Sequence, residues 1–276
     1  MKIWVNGGLR EADEAQVSVF DHGLTVGDGV FETLKTVRGR PFALTRHLDR
    51  LARSARGLGL PEPDLDEVRA ACAAVLDASP MALGRLRVTY TGGLAPLGSD
   101  RGEPDSTLVV ALGEAHRPPA STAVVTVPWV RNERGALSGL KTTSYGENVV
   151  ALARAHESDA SEALFANTVG RLCEGTGSNV FVVVDGELHT PPLASGCLAG
   201  ITRALTVEWT GARESDLPMD VLGSAEEIFL TSSLRDVQAV RRVDDRDLDE
   251  APGPVTAKAM RIFQERAAAE PDPAAV

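Results

Sequence analysis

Four lysines occur in the 276 residues: Lys2, Lys35, Lys141 and Lys258. Lys2 lies near the first residue and Lys258 falls in an amphipathic helical pattern, both natural solvent positions. Lys141 has different neighbours, Ser138-Gly139 before it and Thr142-Thr143-Ser144 after it. A lysine that joins an aldehyde as a Schiff base must shed its proton, which a desolvated or cation-flanked setting favours. Spacing alone fits a solvated loop lysine equally well.

A second group is Glu174-Gly175-Thr176-Gly177-Ser178-Asn179, just ahead of an apolar run. Glycines let the backbone lie close to a flat ligand, and a glutamate among them could keep a pyridine nitrogen protonated. A β-turn with a solvated carboxylate has the same composition. The segment Cys197-Leu198-Ala199-Gly200-Ile201-Thr202-Arg203 places glycine and threonine at a helix start, where unpaired backbone N–H groups bind phosphate; an ordinary capped helix uses the same residues. Thr231-Ser232-Ser233 offers hydroxyls to the same end, or begins a turn. Arg50 could present a planar fork to a phosphate. Arg85, Arg87, Thr89 and Thr91 share one strand face, opposite Leu86, Val88 and Tyr90. That face is either plain surface or a site for a substrate carboxylate.

The elements that must position these groups follow from periodicity. Residues 2–6 read as a strand turning at Asn6-Gly7-Gly8 into a second strand at Gln16–Val19. Val30–Val37 alternates as a strand. Thr45 is the expected cap of a helix reaching Leu58, with Leu48, Leu51, Ala52 and Ala55 on one face. A second helix follows Pro63, and strands fit Gly84–Thr91 and Ser106–Leu112. Residues 113–120 are polar and proline-rich, the best linker in the chain. Beyond it come a strand at Thr122–Pro128, a helix at Asn148–His156, strands at Glu162–Asn167 and Asn179–Val184, an Asp185-Gly186 hairpin into Glu187–Thr190, a helix at Thr202–Thr210, a strand at Glu227–Thr231 and a helix at Val255–Arg266. The expected division is a small α/β domain over 1–115, a linker at 116–121, a larger domain over 122–268 and a frayed tail at 269–276.

Composition narrows the function class. Hydrophobic residues make up 43% and charged residues 24%, as in ordinary globular chains. A net charge of −11 repels phosphate backbones and no basic stripe offsets it, so nucleic acid is an unfavourable partner. Cys72, Cys173 and Cys197 are too few and too scattered for a disulfide framework or a zinc site, and no metal is expected. No run approaches the ~18 apolar residues of a membrane span and no signal-peptide pattern opens the chain. The expected location is the cytoplasm.

Together, Phe20-Asp21-His22-Gly23-Leu24, Gly27-Asp28-Gly29-Val30-Phe31-Glu32, His47–Leu51, Lys141, Glu174–Asn179 and Gly200–Arg203 resemble the class IV (fold type IV) pyridoxal-phosphate enzymes across residues 2–265. These include branched-chain and D-amino-acid aminotransferases, (R)-amine transaminases and 4-amino-4-deoxychorismate lyase. The resemblance implies a two-domain α/β (α+β) fold of the D-amino-acid-aminotransferase type, pyridoxal 5'-phosphate as cofactor and a homodimer. It implies that Lys141 is the Schiff-base lysine and proton carrier, that Glu174 pairs with the pyridine nitrogen, and that Arg50, Ile201, Thr202 and Ser233 hold the phosphate. Tyr145 would reach the phenolic oxygen. Glu32, Arg85 and Arg87 would face the substrate, with Arg87 ahead of Arg85 as the carboxylate partner.

Within the family, Thr91-Gly92-Gly93-Leu94-Ala95-Pro96-Leu97-Gly98 lacks the arginine and histidine of the D-amino-acid branch. Arg87–Gly93 and the short chain look most like the lyases and (R)-amine transaminases, whereas Glu32 is the residue common in aminotransferases. The leading expectation is thus a lyase converting 4-amino-4-deoxychorismate to 4-aminobenzoate and pyruvate, toward folate. The alternative is an aminotransferase between a small amino acid, branched-chain or similar, or an amine, and a 2-oxo acid.

Overall fold

The alternation at Val30–Val37 resolves as a strand with both faces engaged. The computed structural model describes residues 1–103 and 105–274. Contacts among them divide into two compact units, one of residues 1–103, 105–116, 140–144 and 270–274, the other of 117–139 and 145–269.

Among the described residues, the first unit contains β1 (Lys2–Val5), β2 (Gly8–Glu11), the helical turn α1 (His22–Thr25), β3 (Gly29–Val37), β4 (Arg40–Pro41), α2 (Leu44–Leu58), α3 (Leu65–Ala78), β5 (Leu83–Thr91) and β6 (Thr107–Glu114). Its strands form one antiparallel sheet in the order β2-β1-β6-β5-β3-β4. Val30, Leu34, Leu86, Val88, Val110 and Leu112 pack with Leu48, Leu51 and Ala55 of α2 and Val68, Ala71 and Val75 of α3. Each fully buried leucine or valine stabilises the unit by roughly 1.5–3 kcal/mol.

The second unit contains β7 (Ser121–Arg131), α4 (Gly146–His156), β8 (Glu162–Asn167), β9 (Leu172–Gly175), β10 (Asn179–Val184), β11 (Glu187–Thr190), α5 (Ile201–Thr210), β12 (Arg213–Glu214), β13 (Glu227–Ser232), β14 (Asp236–Val243), β15 (Arg246–Asp247) and α6 (Pro254–Ala269). The mixed sheet runs β12-β11-β10-β13-β14-β7-β8-β9, with β15 on β14. No helix among the described residues is long and apolar enough to cross a membrane.

Several expectations are corrected. Asn6 (φ 38°) and Gly7 (φ 81°) make a two-residue turn, so the second strand begins at once as β2 with Val5 opposite Gly8, and residues 16–19 form no strand. Thr45 does not cap α2. The N-cap is Ala43, in the left-handed region at φ 54°, without a side-chain cap. Asp272 supplies it from far along the chain: its carboxylate accepts the Thr45 N–H at 2.9 Å and the Thr45 hydroxyl at 2.7 Å. Ala43 N–H donates to the Pro271 carbonyl and Arg46 Nε to that of Pro273. The tail over 270–274 is therefore bonded to the start of α2 rather than frayed, and α6 extends to Ala269; residues 275–276 lie outside the described residues. Strands β9 and β14 are additions to the sequence reading, hidden by the glycine in one and the paired arginines in the other.

Asp272→Ala removes the only side-chain cap that α2 shows and is expected to cost about 1 kcal/mol. Thermal unfolding should show a midpoint lower by a few degrees, with the exposed Asp249→Ala as control. An unchanged midpoint would show that the tail does not support α2.

Candidate active site

In the first unit the segment carrying Lys141 is laid against the start of β3. Lys141 N–H donates to Ser54 Oγ of α2 at 3.2 Å, and its carbonyl accepts the Phe31 N–H at 3.0 Å. Thr142 bridges Val30. Thr143 N–H donates to the Gly29 carbonyl at 2.8 Å and Thr143 Oγ1 to the Gly27 carbonyl at 2.9 Å. Gly27 has φ 72°, and a Cβ there would stand 2.7 Å from Ser144 Oγ, so the glycine admits the lysine segment. The Lys141 ammonium lies over the Phe31 ring, 4.2 Å from its centroid, and the Arg87 guanidinium lies over the same ring at 3.8 Å. Arg87 Nε also donates to Thr89 Oγ1 at 3.3 Å. Arg85 is placed two pairs further along, opposite Lys35, whereas Arg87 faces Thr33.

Glu32 is fully buried on the helix-facing side of β3. Arg50 donates to both its oxygens, Nε to Oε1 at 2.8 Å and Nη2 to Oε2 at 2.7 Å. His47 Nδ1 stands 2.6 Å from Oε2. A carboxylate can only accept there, so this nitrogen carries the hydrogen. Burial alone would push the Glu32 carboxyl up, but the Arg50 charge and the hydrogen bonds from Arg50 and His47 hold it well below the usual carboxylate range. Burial pushes His47 down against the pull of Glu32, and the Arg50 and Lys141 charges push it the same way. The structure thus joins Arg50 to Glu32, and makes Glu32 the support of that arginine rather than a surface for substrate.

In the second unit Glu174, on β9, is held from two sides. Its Oε2 accepts the Leu198 N–H at 2.9 Å and its Oε1 lies 3.2 Å from Arg131 Nε. Arg131 stacks on Phe165 at 4.0 Å and donates to Asn148 Oδ1 at 2.5 Å. Asn179 ties the same two segments together, donating to the Leu198 carbonyl at 2.9 Å. A Cβ on Gly200 would come within 2.0 Å of Asn179 Oδ1, so only glycine fits where α5 begins. Gly200 gives α5 no side-chain cap, which leaves the first-turn N–H groups of Ile201 and Thr202 facing outward along the helix axis. The Thr231 hydroxyl near the end of β13 is buried and has no hydrogen-bond partner among the described residues, and Ser233 follows in the half-buried turn. Tyr145 is half-buried at the N-cap position of α4. The three cysteines are buried, and desolvation raises all three thiols, Cys72 to about 12 and Cys197 to about 11, which makes them poor nucleophiles.

Residues 29–243 match the family model described as amino-transferase class IV. The chain belongs to that family. It is 34% identical to a Thermotoga maritima protein named "Probable branched-chain-amino-acid aminotransferase", over 96% of this chain and 95% of the relative. It is 29% identical to a Bacillus licheniformis D-alanine aminotransferase, over 96% of each. A pyridoxal-phosphate-bound hypothetical aminotransferase from Mycobacterium tuberculosis superimposes with a TM-score of 0.87 at 26% identity, covering 98% of this chain and 100% of that one. A candidate 4-amino-4-deoxychorismate lyase from Legionella pneumophila does so with a TM-score of 0.86 at 26% identity, covering 92% and 96%. The two-domain α/β class IV fold is that of the chain, and its cofactor is pyridoxal 5'-phosphate.

The donor set suits this group. An uncapped helix start, an orphaned buried hydroxyl and a serine turn match a phosphate. A carboxylate fixed by an arginine and an amide matches a pyridinium. The sequence reading singled out Lys141, Glu174, Ile201, Thr202 and Ser233, but not Phe31, Ser54, Arg131 or Asn148, whose neighbours lie far away along the chain.

Replacing Arg50 with Met leaves the buried Glu32 charge with only the His47 hydrogen bond, and chemical denaturation should show a loss on the order of 3–5 kcal/mol. Glu32→Gln should cost less. Because the folded carboxyl titrates below its unfolded value, its stabilisation is present above about pH 5 and is lost as pH falls through the folded value. Glu32→Gln should therefore flatten the acid side of the stability profile; an unchanged acid side would exclude this role.

Proposed function

We propose that the protein is an aminotransferase that passes an amino group from a small amino acid to a 2-oxo acid, with Arg87 binding the donor's carboxylate. The observation that carries this reading is the Phe31 ring, on which the Arg87 guanidinium and the Lys141 ammonium both rest. A carboxylate paired with Arg87 would leave its amino-bearing carbon on the side where Lys141 acts. Arg85, beside Lys35, is removed from that ring. The names of the relatives in the preceding section, branched-chain and D-alanine aminotransferase, support the same reaction class.

When bound, pyridoxal phosphate supplies an aldehyde for the amine and a ring that withdraws electrons from the amine-bearing carbon. Lys141 would hold the aldehyde at rest and would carry the proton from the amine-bearing carbon. Its fixed backbone means that only the side chain moves between these tasks. Glu174 would keep a proton on the pyridine nitrogen, its carboxylate held in place by Arg131 and the Leu198 N–H. The N–H groups of Ile201 and Thr202, with Ser233, would hold the phosphate, a role the family resemblance also gives to Arg50, and Tyr145 would donate toward the phenolic oxygen.

The lyase reading is supported by the likeness to the Legionella protein and by the Arg87–Gly93 segment. The two reactions differ after the proton is removed, since only transfer requires a 2-oxo-acid acceptor. We further propose a homodimer: Val19, Phe20, Leu24, Leu94 and Leu97 are exposed on adjoining turns of the first unit, joined by the Asp21–Leu94 bridge.

Purified protein should carry a visible chromophore that borohydride fixes to Lys141, and Lys141→Ala should lose that adduct. Arg87→Gln should raise KM for amino acids more than for simple amines. Product formed from an amino acid only when an acceptor is present supports transfer; 4-aminobenzoate formed from 4-amino-4-deoxychorismate without acceptor would overturn it. Sedimentation should give twice the chain mass of 29.1 kDa, and charged residues at Phe20 and Leu97 should shift it toward the monomer.

A further inference from the structure

Glu162 opens β8 and is 2% exposed. Its carboxylate takes donors from three consecutive residues of the turn between β9 and β10. Oε1 accepts the Thr176 N–H at 2.9 Å, the Gly177 N–H at 3.3 Å and the Thr176 hydroxyl, and Oε2 accepts the Ser178 hydroxyl at 2.9 Å. A Cβ at Gly175 would meet Glu162 Cδ and Cγ at 3.1 Å, so the chain passes directly against this side chain. The turn follows β9, whose Glu174 faces the pyridine nitrogen in the proposed function, and leads at the start of β10 into Asn179, which lies against Gly200.

The other side of Glu162 meets the phosphate end. Arg235 Nη2 stands 3.7 Å from Glu162 Oε2 and donates to the Ser161 carbonyl at 2.9 Å, and Nη1 donates to Ser161 Oγ at 3.1 Å. The Arg235 backbone N–H donates to Ser232 Oγ at 3.3 Å, closing the turn that carries Ser233. One buried carboxylate is thus bonded to the turn that follows Glu174 and paired with the arginine that closes the turn of Ser233. Burial pushes the Glu162 carboxyl up, against the Arg235 charge and the hydrogen bonds from Ser178, Gly177 and Thr176; a buried acid with this many partners adds little net stability compared with apolar packing, and here it joins the groups around it.

We propose that Glu162 is a positioning residue that sets the spacing between the pyridine-binding and phosphate-binding turns of the cofactor site. It touches neither substrate nor cofactor. It acts through Thr176–Ser178 toward Glu174 and through Arg235 toward Ser233. The proposal rests on the cofactor roles given above for Glu174 and Ser233.

The test is a pair of double-mutant cycles read as dissociation constants for pyridoxal phosphate added to apoprotein, Glu162→Gln with Glu174→Gln and Glu162→Gln with Ser233→Ala. Glu162→Gln alone should weaken binding roughly tenfold and shift the absorption band of the bound cofactor, while leaving the apoprotein's thermal midpoint close to that of the parent. Each double variant should bind more tightly than the product of its single losses predicts, because each second substitution removes an end already displaced. Should Glu162→Gln fail to fold, Thr176→Val, which deletes one donor, takes its place in the cycle with Glu174→Gln, and Arg235→Gln in the cycle with Ser233→Ala. Multiplicative losses in either cycle overturn the proposal. If the parent forms no borohydride-fixed adduct at all, the cofactor reading and this one fall together; if it forms one and the cycles show no coupling, only the role of Glu162 is lost.

Discussion

The buried carboxylate of Glu32 is the constraint on which the first unit depends. A charge in the sheet-facing core is costly unless it is fully partnered, and the partners come from α2, which supplies Arg50 and His47. That requirement fixes the register of α2 against β3. Once α2 is fixed, Ser54 two turns on from His47 is placed to receive the Lys141 N–H, and the adjoining strand takes up its carbonyl. The position of Lys141 is therefore a consequence of where an acid is buried, and the bound tail at Asp272 steadies the same helix from its other end.

The second unit uses a different device, polar groups left without side-chain partners where the proposed phosphate site lies. Gly200 offers no side chain to cap α5, and Thr231 has no hydrogen-bond partner for its hydroxyl among the described residues. These unsatisfied donors would be liabilities in a protein without a ligand, and they suit a phosphate in one whose net charge is −11. A net negative charge does not oppose the proposed phosphate site, because backbone dipoles at close range outweigh distant screened charges.

Local pattern carried much of the secondary structure. The strands Glu162–Asn167, Asn179–Val184 and Glu187–Thr190 have the bounds that alternation and the Asp185-Gly186 turn imply. It failed where the deciding partner is remote. Thr45 looks like a cap, but Asp272, 227 residues away, does the capping. Residues 16–19 look like a strand, but the Asn6-Gly7 turn had already closed the hairpin at Val5 and Gly8. The arginines of β14 conceal a central strand because Arg242 turns its guanidinium back to backbone carbonyls.

By itself the sequence determined the chemistry available: a lysine between flexible and hydroxylated neighbours, a glutamate among glycines and a glycine before a helix. Those are properties of residue type and near spacing, which the chain carries in any conformation. Only the tertiary structure decided how the remaining charges are used. It joined Arg50 to Glu32, set Arg87 rather than Arg85 on the ring it shares with Lys141, and placed Arg131 beside Glu174. Each of those pairings joins residues far apart along the chain, and its strength depends on burial, which no local window of sequence contains.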